Sequence, residues 1–250
     1  MDNGKTMERG ALHELVGTPA EGSGIYRTIE ASNSAGSVST VREAEEREEL
    51  ESRGINPDFD KTEFRKELRK QAEQNGVWLY NVYLDDKTLI HDQKAKGTSE
   101  NDVYLSSDGK TLTKLNNLSS VKSTERNENL SAVIDRFVSH NRLFPNVPYT
   151  IKGFMNNKNG FPSLVLEQPY IKDVERNATQ AEIDTYLIEH GFKLDGVRKW
   201  SNEHAVWSNG VYELFDTRPA NVLKGNNGEL YFIDTIPHSV DYLSDGETRE

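Results

Sequence analysis

One stretch of the chain places three polar side chains at the ends of short apolar runs. Its first part is Phe215-Asp216-Thr217-Arg218-Pro219-Ala220-Asn221-Val222-Leu223, and its second part, after the turn Lys224-Gly225-Asn226-Asn227-Gly228, is Leu230-Tyr231-Phe232-Ile233-Asp234. Apolar runs of this length on either side of a glycine-containing turn predict the two strands of a β-hairpin. The hairpin would hold Asp216, Asn221 and Asp234 at its ends.

These three residues are of the types that bind a hard divalent cation. Asn221 follows Asp216 by five positions, and Asp234 follows Asn221 by thirteen. Magnesium prefers carboxylate and amide oxygens, and it usually takes one or two protein carboxylates together with substrate phosphate. Protein-kinase-like phosphotransferases use this spacing, with the first Asp positioning the acceptor hydroxyl and the other two residues binding magnesium. The simpler alternative is a hairpin with ordinary turn residues.

A lysine inside a predicted strand is the next unusual feature upstream. Lys114 lies in Thr111-Leu112-Thr113-Lys114-Leu115, which should pair with Val103-Tyr104-Leu105 around a turn at Asp108-Gly109. A lysine in an apolar strand is unusual unless its charge is paired or reaches an edge. In kinase-like folds the third strand carries a lysine that binds the α- and β-phosphates of the nucleotide.

The helix predicted after this strand should supply an acidic partner for Lys114. Apolar residues recur at helical spacing within residues 125–143. Glu128 is the preferred partner, with Asp135 and Glu125 as alternatives, and the interpretation that all three are solvated surface carboxylates stays open.

A phosphate-binding loop is harder to locate. No Gly-x-Gly-x-x-Gly sequence precedes Lys114, so the candidate is Gly97 with Thr98-Ser99, where backbone amides could form an anion-binding nest. The chain also has no Gly-x-Ser-x-Gly, His-Glu-x-x-His or Gly-x-x-x-x-Gly-Lys-Ser/Thr sequence, which disfavours common hydrolase, zinc-protease and P-loop functions.

Taken together, several segments resemble a known family. They are Lys114-Leu115-Asn116, His140-Asn141-Arg142-Leu143-Phe144-Pro145, residues 149–154, Leu166-Glu167-Gln168-Pro169-Tyr170, residues 216–221 and Asp234. Over about residues 77–240 the chain resembles the serine/threonine/tyrosine kinase-like domain of polyvalent proteins in bacterial mobile elements such as phages and conjugative elements. The resemblance implies an α+β fold of reduced bilobal kinase type, with an N-lobe antiparallel sheet plus one helix and a small C-lobe, and it implies ATP and Mg²⁺ as cofactors.

The resemblance also implies roles for individual residues. Lys114 would bind the phosphates, and Asp216 would be the catalytic acid/base. Asn221 and Asp234 would bind the metal. The segment Glu167-Gln168-Pro169-Tyr170 would be the hinge that contacts adenine. Because Pro169 has no N–H, an adenine-binding amide in this segment would come from Gln168 or Tyr170.

The chain departs from ordinary protein kinases at three places. Leu214-Phe215 replace the His-Arg before the catalytic Asp, and Thr235-Ile236 replace the Phe-Gly after the metal-binding Asp. Sixteen residues follow Asp234, which is too few for a long activation loop or a helical peptide-docking subdomain. We therefore do not expect a regulated peptide kinase.

Composition limits the possible partners. The chain has 250 residues, 30 Lys and Arg against 41 Asp and Glu, a net charge of −11 and no cysteine. Thiolate catalysis, disulfides and iron–sulfur clusters are excluded, and binding to nucleic acid or an anionic membrane is disfavoured. No run of about 18 apolar residues occurs, so a cytoplasmic location is expected. The expected partners are a nucleotide and a hydroxyl acceptor, either a protein or a small molecule.

A change in composition near residue 75 predicts a domain boundary. Residues 1–75 should form an acidic, partly disordered or helical extension, in which the six Glu of residues 41–53 indicate a solvated helix. Asp60 should cap a second helix that has Phe64, Leu68 and Ala72 at helical spacing and ends at Asn75-Gly76. Residues 76–245 should form the kinase-like domain, beginning with a strand that includes Asn81-Val82-Tyr83-Leu84. The predicted function is ATP- and Mg²⁺-dependent phosphoryl transfer to a hydroxyl, and the alternative is an inactive pseudokinase that binds a nucleotide or a protein.

Overall fold

The computed structural model of the protein describes residues 19–20, 22–33, 35, 59–92, 100–122, 128–197 and 205–240. Within these residues the α-helices are α1 (Gly24–Asn33), α2 (Lys61–Gln74), α3 (Leu130–Leu143) and α4 (Gln180–Glu189). The strands are β1 (Lys87–His91), β2 (Asn101–Ser106), β3 (Thr111–Asn116), β4 (Thr150–Asn156), β5 (Pro162–Pro169), β6 (Val174–Asn177), β7 (Lys193–Val197), β8 (Ala205–Ser208), β9 (Tyr212–Phe215), β10 (Val222–Gly225), β11 (Leu230–Phe232) and β12 (Ile236–Ser239). The predicted Glu-rich helix at 41–53 lies outside the described residues.

An antiparallel sheet of five strands, in the order β1-β2-β3-β5-β4, carries the predicted phosphate-binding lysine. The β2–β3 hairpin turns at Asp108-Gly109 as predicted, with Gly109 at φ 64°. Lys114 pairs with Val103 on one side and with Leu166 on the other. Both neighbouring strands therefore hold the lysine backbone in the interior of the sheet.

Helices α1, α2 and α3 share one apolar core with this sheet, which corrects the expectation of a single helix. Helix α2 begins where predicted, because the Asp60 side chain accepts hydrogen bonds from Thr62 N and Glu63 N. Its buried residues Phe64, Leu68 and Ala72 belong to the same core as residues of α1, α3, β4 and β5, namely Ile29, Phe137, Phe154 and Leu164. The described part of residues 1–75 thus packs on the sheet.

The strand predicted at Asn81-Val82-Tyr83-Leu84 is wrong, because these residues form a 3₁₀ helix. Just before it, Trp78 makes a single parallel bridge to Phe154, with Leu79 N donating to Phe154 O at 2.7 Å. Val82 points to solvent and is 72% exposed, whereas the adjacent Tyr83 and Leu84 both pack against sheet residues that include Leu115. The actual edge strand β1 follows at Lys87.

The remaining strands form two smaller antiparallel sheets, in the orders β11-β10-β6 and β12-β9-β8-β7. The β10–β11 hairpin is the predicted one, with Val222 opposite Phe232. Helix α4 begins at a capping box formed by Thr179 and Glu182. A second apolar core packs α4 against these sheets and the end of α3, with Phe144 stacked on Phe232 at a centroid distance of 4.2 Å.

Helix α3 contacts both the first apolar core and strand β12 of the four-stranded sheet. It belongs to the first core, and its Asp135 accepts hydrogen bonds from Ser239 N (3.0 Å) and Ser239 Oγ (3.1 Å) in β12. The architecture is thus mixed α and β with antiparallel sheets, while the bilobal arrangement stays a prediction. In the part of the chain that the structure describes, no helix combines the length and apolar character needed to span a membrane.

Candidate active site

Asp216 lies where the chain leaves β9, in a backbone conformation that is rare outside glycine. Its φ is 56°, in the left-handed region, which Asp tolerates better than most residues. Its Oδ1 is 3.0 Å from Arg218 Nε, and its backbone oxygen accepts a hydrogen bond from Asn221 Nδ2 at 2.9 Å. The strained turn and these two contacts place the carboxylate beside the loop that leads to Asn221.

Asn221 ends a short 3₁₀ turn that starts at Pro219, and it is buried. Because its Nδ2 donates to Asp216 O, the orientation of the amide is set and Oδ1 is left as the available oxygen. Among the described residues, Oδ1 has no hydrogen-bond partner. The backbone oxygen of Asn221 accepts from Ile233 N at 2.9 Å, which ties this turn to the end of β11.

Lys114 reaches the same point from the five-stranded sheet. Its Nζ donates to Ile233 O at 2.9 Å and to Tyr149 Oη at 3.1 Å. The side chain is buried, and burial alone would lower the pKa of Lys114, but Tyr149 and the Asp234 carboxylate outweigh burial and raise it. The lysine is therefore a buried positive charge next to Asp234.

Tyr149 is a site residue that sequence analysis missed. Its Oη donates to Ile233 O at 2.7 Å, and its backbone N and O are both bonded, at 2.7 Å each, to the side chain of Asn141. The amide of Asn141 thus holds the backbone of Tyr149 in place, and helix α3 ends with Phe144 N donating to His140 O. The tyrosine gave no sign of this role because a single aromatic residue before a strand usually packs.

Asp234 follows Ile233 and has 43% of its side chain exposed. Its Oδ1 is 3.8 Å from Nη2 of Arg136, a buried arginine on α3. Arg136 Nη1 donates to Glu100 Oε2 at 2.8 Å. Neither Arg136 nor Glu100 was predicted, and since they are 36 residues apart in the chain, no local pattern connects them.

The acidic partner predicted for Lys114 is not provided by α3. Glu128 precedes the helix, and its backbone oxygen accepts from Lys122 N at 3.0 Å, whereas Lys114 bonds to a phenol and a backbone carbonyl. The alternative Asp135 faces β12, where it accepts from Ser239. The other alternative, Glu125, lies outside the described residues, as do Gly97 and the two residues that follow it.

The predicted hinge segment lies at the end of β5, just before the chain passes to β6. Glu167 accepts a hydrogen bond from Tyr83 Oη at 2.5 Å, and the buried Gln168 side chain donates to Val147 O at 3.1 Å. Tyr170 N donates to Lys110 O at 2.8 Å, so this amide is used in the sheet. Contact of this segment with adenine stays a prediction.

One unbroken path of contacts connects the four residues predicted to perform the chemistry. Lys114 bonds to Ile233, which precedes Asp234; Ile233 bonds to Asn221; and Asn221 bonds to Asp216. The path joins β3 of the large sheet to both ends of the β10–β11 hairpin. It combines a buried cation, two carboxylates and a free amide oxygen, which is a set able to bind a polyphosphate and its cation.

Two oxygens of this site are of the types that bind magnesium. The described residues contain no group of three or more His, Asp or Glu side chains arranged to hold a metal. Magnesium does not need such a group, because it keeps several waters and uses one or two carboxylates plus substrate phosphates. Asn221 Oδ1 and the partly exposed Asp234 carboxylate are oxygens of the kinds that such a site uses.

Comparison with known proteins supports the kinase interpretation. A family model described as Serine/Threonine/Tyrosine Kinase found in polyvalent proteins matches residues 61–239, and so includes helix α2. No curated protein and no solved structure matches the chain. Since the family match covers more than half of the 250 residues, the chain belongs to the family of serine/threonine/tyrosine kinases found in polyvalent proteins.

Proposed function

We propose that the protein is an ATP- and Mg²⁺-dependent phosphotransferase that transfers the γ-phosphate to a hydroxyl of a protein or small molecule. A kinase family implies the use of ATP, usually with Mg²⁺. The observation that supports the proposal most is the path of contacts from Lys114 through Ile233 and Asn221 to Asp216. It joins residue types that phosphoryl transfer requires, although they come from segments up to 119 residues apart.

Asp216 would act on the acceptor. Its carboxylate would accept the proton of the hydroxyl at one Oδ atom as the hydroxyl oxygen attacks phosphorus. Arg218 Nε, 3.0 Å from Oδ1, and the Asn221 bond to the Asp216 backbone hold the carboxylate in a defined orientation. Such positioning accounts for a large part of catalysis in this reaction class, where little covalent chemistry falls to the protein.

Lys114, Asn221 and Asp234 would bind the nucleotide. Lys114 Nζ uses two of its three N–H donors on Tyr149 and Ile233, which leaves one donor for a phosphate oxygen. Asn221 Oδ1 and the Asp234 carboxylate would hold Mg²⁺. When bound, the magnesium–ATP complex supplies the phosphoryl group and neutralises charge on its oxygens.

A nucleotide-binding pseudokinase is the competing function, and one observation favours it. Lys114 bonds to neutral oxygens rather than to a helix carboxylate. A pseudokinase of this kind would bind the nucleotide through Lys114 and Asp234 but transfer no phosphate. Catalysis, not binding, therefore separates the two functions.

The first test is a thermal-shift titration with ATP, with and without Mg²⁺. Ligand that binds only the native state raises the midpoint by mass action, so wild type at saturating ATP should gain several degrees when Mg²⁺ is present. Asp234→Ala should lose the Mg²⁺-dependent part of the shift. Asp195→Ala, which removes an exposed carboxylate on β7, is the control and should behave as wild type.

The second part of the test measures turnover with Asp216→Asn, which keeps the shape of the side chain. This variant should keep the ATP shift but lose phosphate release or transfer by at least a hundredfold. A wild type that binds ATP without any turnover would support the pseudokinase. Absence of an ATP shift in wild type, or a full shift in Asp234→Ala, would contradict the proposed function.

A further inference from the structure

Two buried cations, not one, meet at the candidate site. Lys114 bonds to the Ile233 carbonyl, and Arg136, whose residue is only 7% exposed, reaches the neighbouring Asp234 from helix α3. Arg136 belongs to the face of α3 that turns towards the sheet, among residues of the first core such as Phe137. Burying a guanidinium costs free energy unless it is paired and hydrogen-bonded.

The pairing of Arg136 is incomplete. Nη1 makes a good hydrogen bond to Glu100 Oε2 at 2.8 Å. Nη2 lies 3.8 Å from Asp234 Oδ1, which is too long for a hydrogen bond. The buried Nε has no hydrogen-bond partner among the described residues. The guanidinium thus has hydrogen-bond donors to spare, and Nη2 is the donor that lies near Asp234.

Charge balance indicates what these donors would bind. Two carboxylates, Glu100 and Asp234, face the two cations. If Asp234 binds Mg²⁺, as in the proposed function, its negative charge no longer compensates Arg136. Of the two carboxylates, Glu100 alone then faces the two buried cations. Lys114, Arg136 and Mg²⁺ would then carry four positive charges against the two negative charges of Glu100 and Asp234, and the phosphates of the nucleotide would supply the missing negative charge. A guanidinium is well suited to bind a phosphate, because its planar fork of donors matches the phosphate oxygens.

We propose that Arg136 binds a phosphate of the nucleotide beside Lys114, as a second cation of the phosphate site. This inference rests on the proposed function for its ligand, but it concerns a residue of α3 that the family comparison and the sequence analysis did not assign. The competing role is structural, with Arg136 serving only to link Glu100 to Asp234.

Binding calorimetry on the full chain with adenosine, ADP, ATP and inorganic tripolyphosphate, in Mg²⁺, distinguishes these roles. A phosphate-binding Arg136 predicts that Arg136→Gln weakens ATP and tripolyphosphate at least tenfold and leaves adenosine within twofold. Arg136→Lys keeps the charge but loses the planar fork of donors. It should weaken the binding of ATP and tripolyphosphate by a smaller factor than Arg136→Gln does, again with adenosine affected least. Arg142→Gln removes another α3 arginine, one that donates to Tyr212 Oη, and is the matched control.

Salt dependence gives a second readout that a structural role would not change. ATP affinity of wild type should fall as salt is raised from 50 to 300 mM. The fall should be smaller for Arg136→Gln, because fewer charges are paired when ATP binds to this variant. Melting curves of each variant establish that it is folded. If Arg136→Gln does not fold, the comparison of adenosine with ATP in Arg136→Lys decides the question.

The outcomes separate this inference from the proposed function. The role of Arg136 would be overturned if a folded Arg136→Gln lost no ATP affinity, or if it lost affinity for adenosine and ATP equally. The proposed function would still stand in that case, provided that Mg²⁺-dependent ATP binding disappears in Asp234→Ala. Conversely, tripolyphosphate binding that needs Arg136 in a protein without ATP turnover would support the phosphate site and count against catalysis. Wild type that binds neither ATP nor tripolyphosphate would overturn both.

Discussion

His140 shows how burial sets the protonation state of a residue close to the candidate site. The ring is fully buried, packs edge-on against Tyr149 at a centroid distance of 4.7 Å, and has Nε2 3.1 Å from Val147 O. Since a carbonyl only accepts, Nε2 carries the proton, and the buried Nδ1 has no partner among the described residues. Burial lowers the pKa of His140 to about 3, against the opposing effect of the Val147 bond. His140 is therefore a neutral core residue in the folded chain at pH 7.

This neutral histidine predicts a pH-dependent loss of stability. In the unfolded chain His140 takes up a proton below its ordinary pKa of 6.5, whereas in the folded chain it stays neutral down to about pH 3. Stability should therefore fall as the pH decreases from 6.5 towards 3, and the contribution of His140 at pH 5 should be about 2 kcal/mol. Urea unfolding of wild type and His140→Gln at pH 7 and pH 5 measures this contribution. An equal difference between the two pH values in both proteins would contradict it.

Helix α2 illustrates what can be predicted at the level of a single element. Asp60 as the cap, Phe64, Leu68 and Ala72 as the buried stripe, and Asn75-Gly76 as the end all follow from residues within one helix length, and the structure confirms them. What α2 packs against does not follow from its own pattern. In the structure Leu68 is fully buried in a core that includes Phe154 and Leu164 of the sheet.

We predict that Leu68→Ala lowers the free energy of unfolding by about 2–5 kcal/mol, because it leaves a cavity in the core next to the sheet. Lys66→Ala is the control on the same helix. The Lys66 side chain is 67% exposed and pairs with Glu63, which is 58% exposed, so the effect should stay within about 0.5 kcal/mol. Urea unfolding at pH 7 provides both values. Similar results for the two variants would mean that α2 is separate from the core, in agreement with the boundary predicted near residue 75.

At the scale of the whole molecule, helix α3 joins the parts that make up the site. From one side of the helix Arg136 reaches Asp234, and from another Asp135 accepts two hydrogen bonds from Ser239 in β12. Strand β12 pairs with β9, and its Ile236 lies opposite Phe215, the residue before Asp216. A change in the position of α3 would therefore be transmitted to both carboxylates of the site.

Breaking the contact between α3 and β12 should loosen this connection. Asp135→Ala removes the acceptor of both Ser239 hydrogen bonds, and a carboxylate that is 13% exposed makes such bonds worth about 2–3 kcal/mol together. In native-state hydrogen exchange, the amides of β12 should exchange faster, above all that of Ser239. The amides of β2 and β3 should exchange faster only to the extent that global stability falls. Asp195→Ala again serves as the control. Unchanged exchange in β12 would show that its pairing with β9 suffices to hold it.

Local features of the fold followed from the amino-acid sequence alone. The β2–β3 and β10–β11 hairpins, the caps of α2 and α4, and the spacing of Asp216, Asn221 and Asp234 all depend on residues within about twenty positions of each other. Over such distances the turn chemistry and periodicity leave the backbone few alternatives. The same reasoning failed at Asn81–Leu84, which form a 3₁₀ helix in which the consecutive residues Tyr83 and Leu84 both pack against the sheet while Val82 is exposed.

Contacts between distant segments could be found only in the folded structure. Tyr149 and Ile233 are 35 and 119 residues from Lys114, and Glu100 is 36 residues from Arg136. Periodicity shows which face of a helix or strand is buried, but it does not show which partner covers that face. For this reason the sequence predicted a carboxylate of α3 for Lys114, whereas the packing of α3 against β12 turns Asp135 away and brings Arg136 to Asp234.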